Sequence, residues 1–203
     1  MNKFEDLLQV AETLQGPDGC PWDKKQTFTT LQPYVLEEAH ELLEAVDQND
    51  DRMIKEELGD LLYTLIFYGK IAEKSKRFTI WDVIDQVKEK LIRRHPHVFG
   101  SAKAATVEEV VKTWDAVKKE ENKEKKRKHF LEGIPKTLPL LARAQKILNK
   151  MKRSHISWKT EASLGGKLLA LVAEAEEAGL DAETELRRAL AKVENDLEHN
   201  SLI

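Results

Sequence analysis

Cysteine is nearly absent from this chain: Cys20 stands alone among 203 residues. One thiol makes neither an internal disulfide nor a cysteine-based structural zinc site, and such scarcity fits a reducing, cytoplasmic setting. Long apolar runs are missing too. The densest, Leu61 to Tyr68, falls far short of the roughly 18 residues that a bilayer-spanning helix needs. Met1–Leu14 is broken by Lys3, Glu5, Asp6 and Glu12, so it lacks the apolar centre of a signal peptide. No charge sign dominates: 33 Lys and Arg face 36 Asp and Glu, for a net charge of −3. Without a bulk field, neither a nucleic acid polymer nor a membrane is an expected partner. The phosphate loops GxxxxGKS/T and GxGxxG and the GxSxG nucleophile turn do not occur, which argues against P-loop, Rossmann and serine-hydrolase chemistry.

What is present suits a folded, water-soluble protein: 41% hydrophobic residues can build a core and 34% charged residues a surface. Six prolines and nine glycines punctuate the chain sparsely, and between them apolar residues recur at helical spacing. This predicts an all-α fold with helices near Lys3–Leu14, Leu31–Asp47, Asp51–Lys74, Thr79–Arg94, Thr106–Glu121, Leu138–Lys152, Leu164–Ala178 and Asp181–Glu198. Thr29 or Thr30 is the expected cap of the second helix, with Pro33 in its first turn, and His95-Pro96-His97 should end the fourth.

The length exceeds a typical domain of about 100–150 residues and falls short of two. From Lys118 to Lys128 only Asn122 is uncharged, and Gly133, Pro135 and Pro139 follow. The expected division is a first domain over 1–121, which the resemblance described below makes the catalytic one, a charged linker over 122–137 and a helical region over 138–203. The two halves resemble each other weakly. Phe4–Leu14, Trp22 and Leu58-Gly59-Asp60-Leu61-Leu62 are echoed by Leu138–Leu148, Trp158 and Gly165-Gly166-Lys167-Leu168-Leu169. The second copy lacks a segment corresponding to the acidic helix described next, and Lys167 stands where the first has Asp60.

Glu37, Glu38, Glu41 and Glu44 share the second helix, whose buried stripe is Leu36, Ala39, Leu42, Leu43 and Val46. At 100° per residue, Glu38 lands about 40° from Leu42, at the stripe's edge. Residues three apart on a helix are neighbours, so Glu38 and Glu41 can converge on one ion; Glu57 and Asp60 repeat that spacing on the third helix. Beyond Asp60 the helix is apolar nearly all round, so burial on most sides is expected there. Clustered carboxylates repel and lose hydration unless neutralised. An all-oxygen set suits Mg²⁺, with Mn²⁺ as a substitute, better than zinc. A single acidic pair would read as ordinary surface charge; two such pairs on consecutive helices favour a metal. Glu37-x-x-His40 is half of a di-iron carboxylate unit, but no second half accompanies it, and His40 reads as an ordinary polar residue.

Lys88, Lys90, Arg93 and Arg94 run to the end of the fourth helix, with Lys90 and Arg94 on one face, and Trp114 and Lys118 repeat the spacing on the next. Cations often gather at a helix C-terminus. Beside an acidic metal site, however, such a cluster is the complement of a polyphosphate, and an indole can stack on a base. Trp81 and Trp158 read as core residues.

The ordered set Gly19-Cys20-Pro21-Trp22-Asp23, Leu36-Glu37-Glu38-x-x-Glu41, Glu56-Glu57-Leu58-Gly59-Asp60-Leu61-Leu62 and Arg93-Arg94-His95-Pro96-His97-Val98-Phe99-Gly100 closely resembles the MazG family of nucleoside triphosphate pyrophosphohydrolases, in its two-domain bacterial form with a shortened, degenerate second domain. The resemblance implies a helical bundle of the all-α NTP pyrophosphatase type, a homodimer, and Mg²⁺-dependent conversion of (d)NTP to (d)NMP and pyrophosphate in nucleotide-pool housecleaning. It places metal ligation on Glu38, Glu41, Glu57 and Asp60, triphosphate contacts on Lys90, Arg94 and Lys118, and Trp114 near the nucleoside. Glu37 is the further candidate beside Glu38 and Glu41 in the catalytic set, orienting water or a second ion. Two positions depart from the pattern: Phe28 stands where the family often has His, and the second copy has lost its acidic helix, so any chemistry falls to the first. The alternative is a noncatalytic helical dimer that regulates a partner and carries a vestigial metal site.

Overall fold

The computed structural model describes residues 2–124 and 129–199, with the backbone alone at residues 119 and 122–124. Residues 125–128 of the expected linker and 200–203 of the expected second region lie outside the described residues. Among the described residues the chain is all-α: nine α-helices, a 3₁₀ turn at Asp23–Lys25, and no strand. The helices are α1 Lys3–Gln15, α2 Gln32–Gln48, α3 Asp51–Lys74, α4 Ile80–Arg94, α5 Pro96–Phe99, α6 Val107–Glu124, α7 Leu140–Arg153, α8 Leu164–Glu177 and α9 Ala182–His199. None is long and apolar enough to cross a membrane.

Local chemistry sets most of these boundaries. Asn2 and Glu5 form a capping box on α1, as do Thr79 and Asp82 on α4, and Asp50 accepts from the backbone N–H groups of Arg52 and Met53 at the start of α3. The expected threonine cap on α2 does not form. Leu31 occupies the cap position without a side-chain bond, and the Thr30 hydroxyl donates instead to Gln26 Oε1 at 2.7 Å. Asn49, at φ 55°, ends α2 in the left-handed region that asparagine tolerates. The turn is so short that α2 folds straight back along α3. Pro96 stops α4 and then opens the one-turn helix α5, where its missing N–H costs nothing.

The chain divides into two compact units, Met1–Glu121 and Asn122–Ile203. In the first, Leu8, Ala11 and Ile66 form the core, with Phe4, Leu7, Tyr63 and Ile80 packed around them. A Cβ on Gly69 would stand 3.2 Å from Ile80 Cβ, so the glycine permits the close passage of α3 and α4. The second unit is built on Leu148, Val172 and Ala182, with Trp158 packed against them.

The expected buried stripe of α2 is not met: Leu36, Leu43 and Val46 are exposed, and Ala45 is the buried residue of that helix. Burial of α3 departs from expectation as well. Its buried residues are Thr64, Ile66, Phe67, Gly69 and Ala72, whereas Leu58, Leu62 and Leu65 are exposed. Among the described residues the chain supplies neighbours for only one side of this helix, so its apolar circumference is partly covered. Trp81 is likewise half exposed, meeting Phe4 edge-on instead of entering the core.

Candidate functional site

The turn at Asn49–Asp50 brings the middle of α2 beside the first turns of α3, and with it two acidic pairs. Glu38, Glu41 and Glu57 each offer a carboxylate oxygen, and these atoms lie within 4.8 Å of one another. Among the described residues this is the one such set of potential metal ligands. Asp60 stands outside that triplet but close enough for its charge to act on Glu38 and Glu57. Glu37 is exposed on α2, and its charge acts weakly on Glu38. His40 is exposed and does not join the carboxylates.

The electrostatics are those of crowded anions. Partial burial, then the charges of Asp60, Glu41, Glu57 and Glu37, hold the Glu38 carboxyl above its ordinary range. Desolvation, then Glu41 and Asp60, raise Glu57, which also shares a hydrogen bond with Glu41. Every charge named here is another carboxylate. Such a group is relieved by a proton or by a cation, and a cluster of oxygens around one point is the donor chemistry of a hard divalent ion. The residues present therefore fit Mg²⁺ or Mn²⁺. Between Glu57 and Asp60, a Cβ built on Gly59 would meet no atom within 4 Å.

The basic residues form a second constellation on α4 and α6. Arg94 is largely buried, and its Nε and Nη2 donate to Glu121 Oε1 and Oε2 at 3.3 and 2.6 Å. Arg93, more exposed, donates to Oε1 of the same carboxylate through Nε at 3.0 Å and Nη2 at 2.7 Å. Glu121 is buried, and Arg94 first, with Arg93, holds its carboxyl down at about 2. The Lys118 ammonium lies 5.3 Å from the Trp114 ring centroid. The His95 ring packs at a tilt, 5.6 Å from both Trp114 and His97, and its Nδ1 donates to the Leu91 carbonyl at 2.7 Å, which fixes the ring's tautomer. The buried indole N–H of Trp114 and Nδ1 of His97 have no hydrogen-bond partner, an arrangement that a polar ligand would satisfy. Lys90 lies one turn before Arg94, partly exposed.

Of the residues singled out in the sequence, the structure thus groups Glu38, Glu41 and Glu57, with Asp60 beside them, and separately groups Arg94, Trp114 and Lys118. Glu121 escaped the sequence reading because it looked like part of a solvated charge run. Its one signal was register, seven residues after Trp114 and three after Lys118 on one helical face.

Comparison with known proteins agrees with this geometry. A family model described as the MazG nucleotide pyrophosphohydrolase domain matches residues 26–99, the span that contains both acidic pairs and the α4 cations. A nucleoside triphosphate pyrophosphohydrolase of Escherichia coli (strain K12) is 42% identical over 161 residues, covering 79% of this chain and 61% of its own length. The Thermotoga maritima protein named nucleoside triphosphate pyrophosphohydrolase/pyrophosphatase MazG is 41% identical over 175 residues, or 86% of this chain and 67% of that one. The chain therefore spans about three fifths to two thirds of the length of these relatives. Among solved structures, a mazG-related protein from Thermotoga maritima superposes with a TM-score of 0.50 at 34% identity, covering 57% of this chain and 98% of that one.

Proposed function

The chain belongs to the MazG nucleotide pyrophosphohydrolase family, and from that membership we propose that its first unit hydrolyses nucleoside triphosphates between the α- and β-phosphates, releasing a nucleoside monophosphate and pyrophosphate in nucleotide-pool housecleaning. The convergence of Glu38, Glu41 and Glu57 carries this reading.

In this reading Glu38, Glu41, Glu57 and Asp60 hold Mg²⁺, or Mn²⁺ in its place. The bound ion supplies Lewis-acid neutralisation of the polyphosphate and acidifies water. Glu37, on the same helix but outside the convergent set, orients the water that attacks the α-phosphorus and accepts its proton. The bond from the α-phosphorus to its bridging oxygen breaks, and the electron pair leaves with pyrophosphate. Lys90, Arg94 and Lys118 meet the phosphate oxygens, Arg94 with the planar donors that suit them. Trp114 receives the nucleoside. Incubating the full chain with a panel of (d)NTPs and Mg²⁺ tests the assignment. Monophosphate plus pyrophosphate is expected; orthophosphate plus diphosphate, or no turnover with enzyme in excess, overturns it.

The active form in this reading is a homodimer. Leu36, Leu43 and Val46 on α2 and Leu58, Leu62 and Leu65 on α3 are each at least 40% exposed, a concentration of apolar side chains that favours burial against a second protomer. Light scattering should give twice the 23.3 kDa of one chain. A Leu62→Asp, Leu65→Asp variant should return the mass to one chain with helicity retained; a wild-type monomer at micromolar concentration excludes the dimer.

The second unit, in the same reading, is a shortened copy that keeps packing surface without chemistry. Its α8 begins at the glycines that echo Leu58-Gly59-Asp60. A cavity of about 330 Å³ in this unit is lined mainly by apolar side chains of α7 with Trp158 and Leu169, and Arg143 is the charged residue of that lining.

A further inference from the structure

The substrate contacts proposed above come from two helices, Lys90 and Arg94 from α4 and Trp114 and Lys118 from α6. We infer that Glu121 is the positioning residue that joins them: its carboxylate grips Arg94 along one edge of the guanidinium, so that the other edge faces the triphosphate at a fixed distance from Trp114 and Lys118. The inference rests on the pyrophosphohydrolase reading and goes beyond it, since Glu121 itself touches neither nucleotide nor ion.

Three observations support it. First, the contact is side-on and uses both oxygens: Nε to Oε1 and Nη2 to Oε2. A guanidinium has five N–H donors in a rigid fork, so three remain on the Nη side for phosphate. A lysine, with one rotating ammonium, could not be held at one face and present another. Second, one carboxylate serves both Arg93 and Arg94. Two cations against one anion leave a net positive charge at the site, which an oxyanion ligand can use. Third, Trp114, Lys118 and Glu121 follow one another at i, i+4 and i+7 along α6, so a bond at Glu121 sets where the indole and ammonium stand relative to α4. A tilted ring contact of Trp114 with His95, which caps the end of α4, is a further tie between these segments. Releasing Glu121 would free Arg94 from its fixed edge and remove one of the ties that set α6 against α4.

The test compares the full chain with Glu121→Gln, Glu121→Asp, Arg94→Lys and the Glu121→Gln, Arg94→Lys double variant. Calorimetric affinity for inorganic tripolyphosphate is measured with each, along with KM and kcat on the best (d)NTP of the panel. Glu121→Gln should weaken tripolyphosphate binding and raise KM about tenfold, with kcat changed less than about threefold, because binding but not the reacting geometry at the α-phosphate depends on the held arginine. Glu121→Asp, which keeps the charge, should recover a substantial part of the loss. The double variant should be no worse than Arg94→Lys alone, since the two residues act as one unit. If Glu121→Gln does not fold, the KM and kcat of Glu121→Asp decide: a raised KM at unchanged kcat supports positioning, and wild-type values overturn it. Equal tripolyphosphate affinity in wild type and Glu121→Gln, additive losses in the double variant, or a wild type that does not bind tripolyphosphate each overturn the inference. A wild type that binds tripolyphosphate but turns over no nucleotide overturns the pyrophosphohydrolase reading alone.

Discussion

Glu41→Gln should lower Mg²⁺-dependent pyrophosphate release by more than about 100-fold, because outer-shell changes at metal sites already cost about 10–100-fold and Glu41 is proposed as a direct ligand. The fold has little reason to suffer. Glu41 is exposed on α2, and glutamine keeps its size and helix propensity while removing a charge that three neighbouring carboxylates repel. Circular dichroism should therefore match the wild type. Glu57→Gln and Asp60→Asn should behave alike, and combining any two should lose little more than the first, since ligands of one ion fail together. Wild-type turnover in all three single variants would mean that the acids are surface charge, and the noncatalytic partner module would become the better account.

The second large effect is on stability. Glu38 and Glu57 titrate above their ordinary values in the fold. The folded state therefore binds their protons more tightly than the unfolded state, and their contribution to stability is fully present below the unfolded pKa of about 4.3 and lost as pH rises through the raised folded value. At pH 7.5 the ion-free cluster weakens the protein. A divalent ion that binds only the fold reverses this, by about 2.7 kcal/mol at a hundredfold excess over its Kd. For a chain of this size that corresponds to roughly 5–10 °C in Tm. Differential scanning calorimetry should show the rise with Mg²⁺ or Mn²⁺ at pH 7.5, its removal by chelator, and its decline toward pH 4.5 as protons compete for the same oxygens. Glu57→Gln should melt higher than the wild type without the ion and respond less to it. No response to either ion at millimolar concentration would contradict a shared site. Glu121 has the opposite sign: its pKa is held down at about 2, so its contribution is present above the unfolded value and fades as pH falls toward 2. Mild acid thus relieves one cluster before it loosens the other.

Much of this architecture can be read from the chain, and its failures have specific physical origins. The bounds of α3 agree at both ends because Asp50 caps one end and the polar run after Ala72, with Lys76 in the left-handed region, closes the other. The cap of α2 falls on Leu31 because the Thr30 hydroxyl is engaged in the preceding turn, accepting from the Thr27 N–H at 2.8 Å and donating to Gln26 Oε1, instead of accepting from an N–H of the helix. Burial on most sides is not met across Leu61–Tyr68, where Leu62 and Leu65 are exposed, because composition records how apolar a helix is, not how many neighbours the chain provides. The acidic set was legible because i,i+3 spacing is a property of the sequence itself. The ion pair of Glu121 with Arg93 and Arg94 was not, because its partners lie 27 and 28 residues away on another helix. No local pattern encodes that distance.

Gly59 precedes Asp60, the one acid of the four that stands outside the convergent triplet, and a Cβ built on it would meet no neighbouring element within 4 Å. Glycine is also the residue whose backbone is least restrained within a helix. Three oxygens thus sit on regular helical turns while the fourth follows directly on a glycine of α3. Under the proposed ion-binding reading, that placement would let Asp60 follow the ion's radius, so that one set of acids would accept Mg²⁺ and the slightly larger Mn²⁺ without repacking α2 against α3.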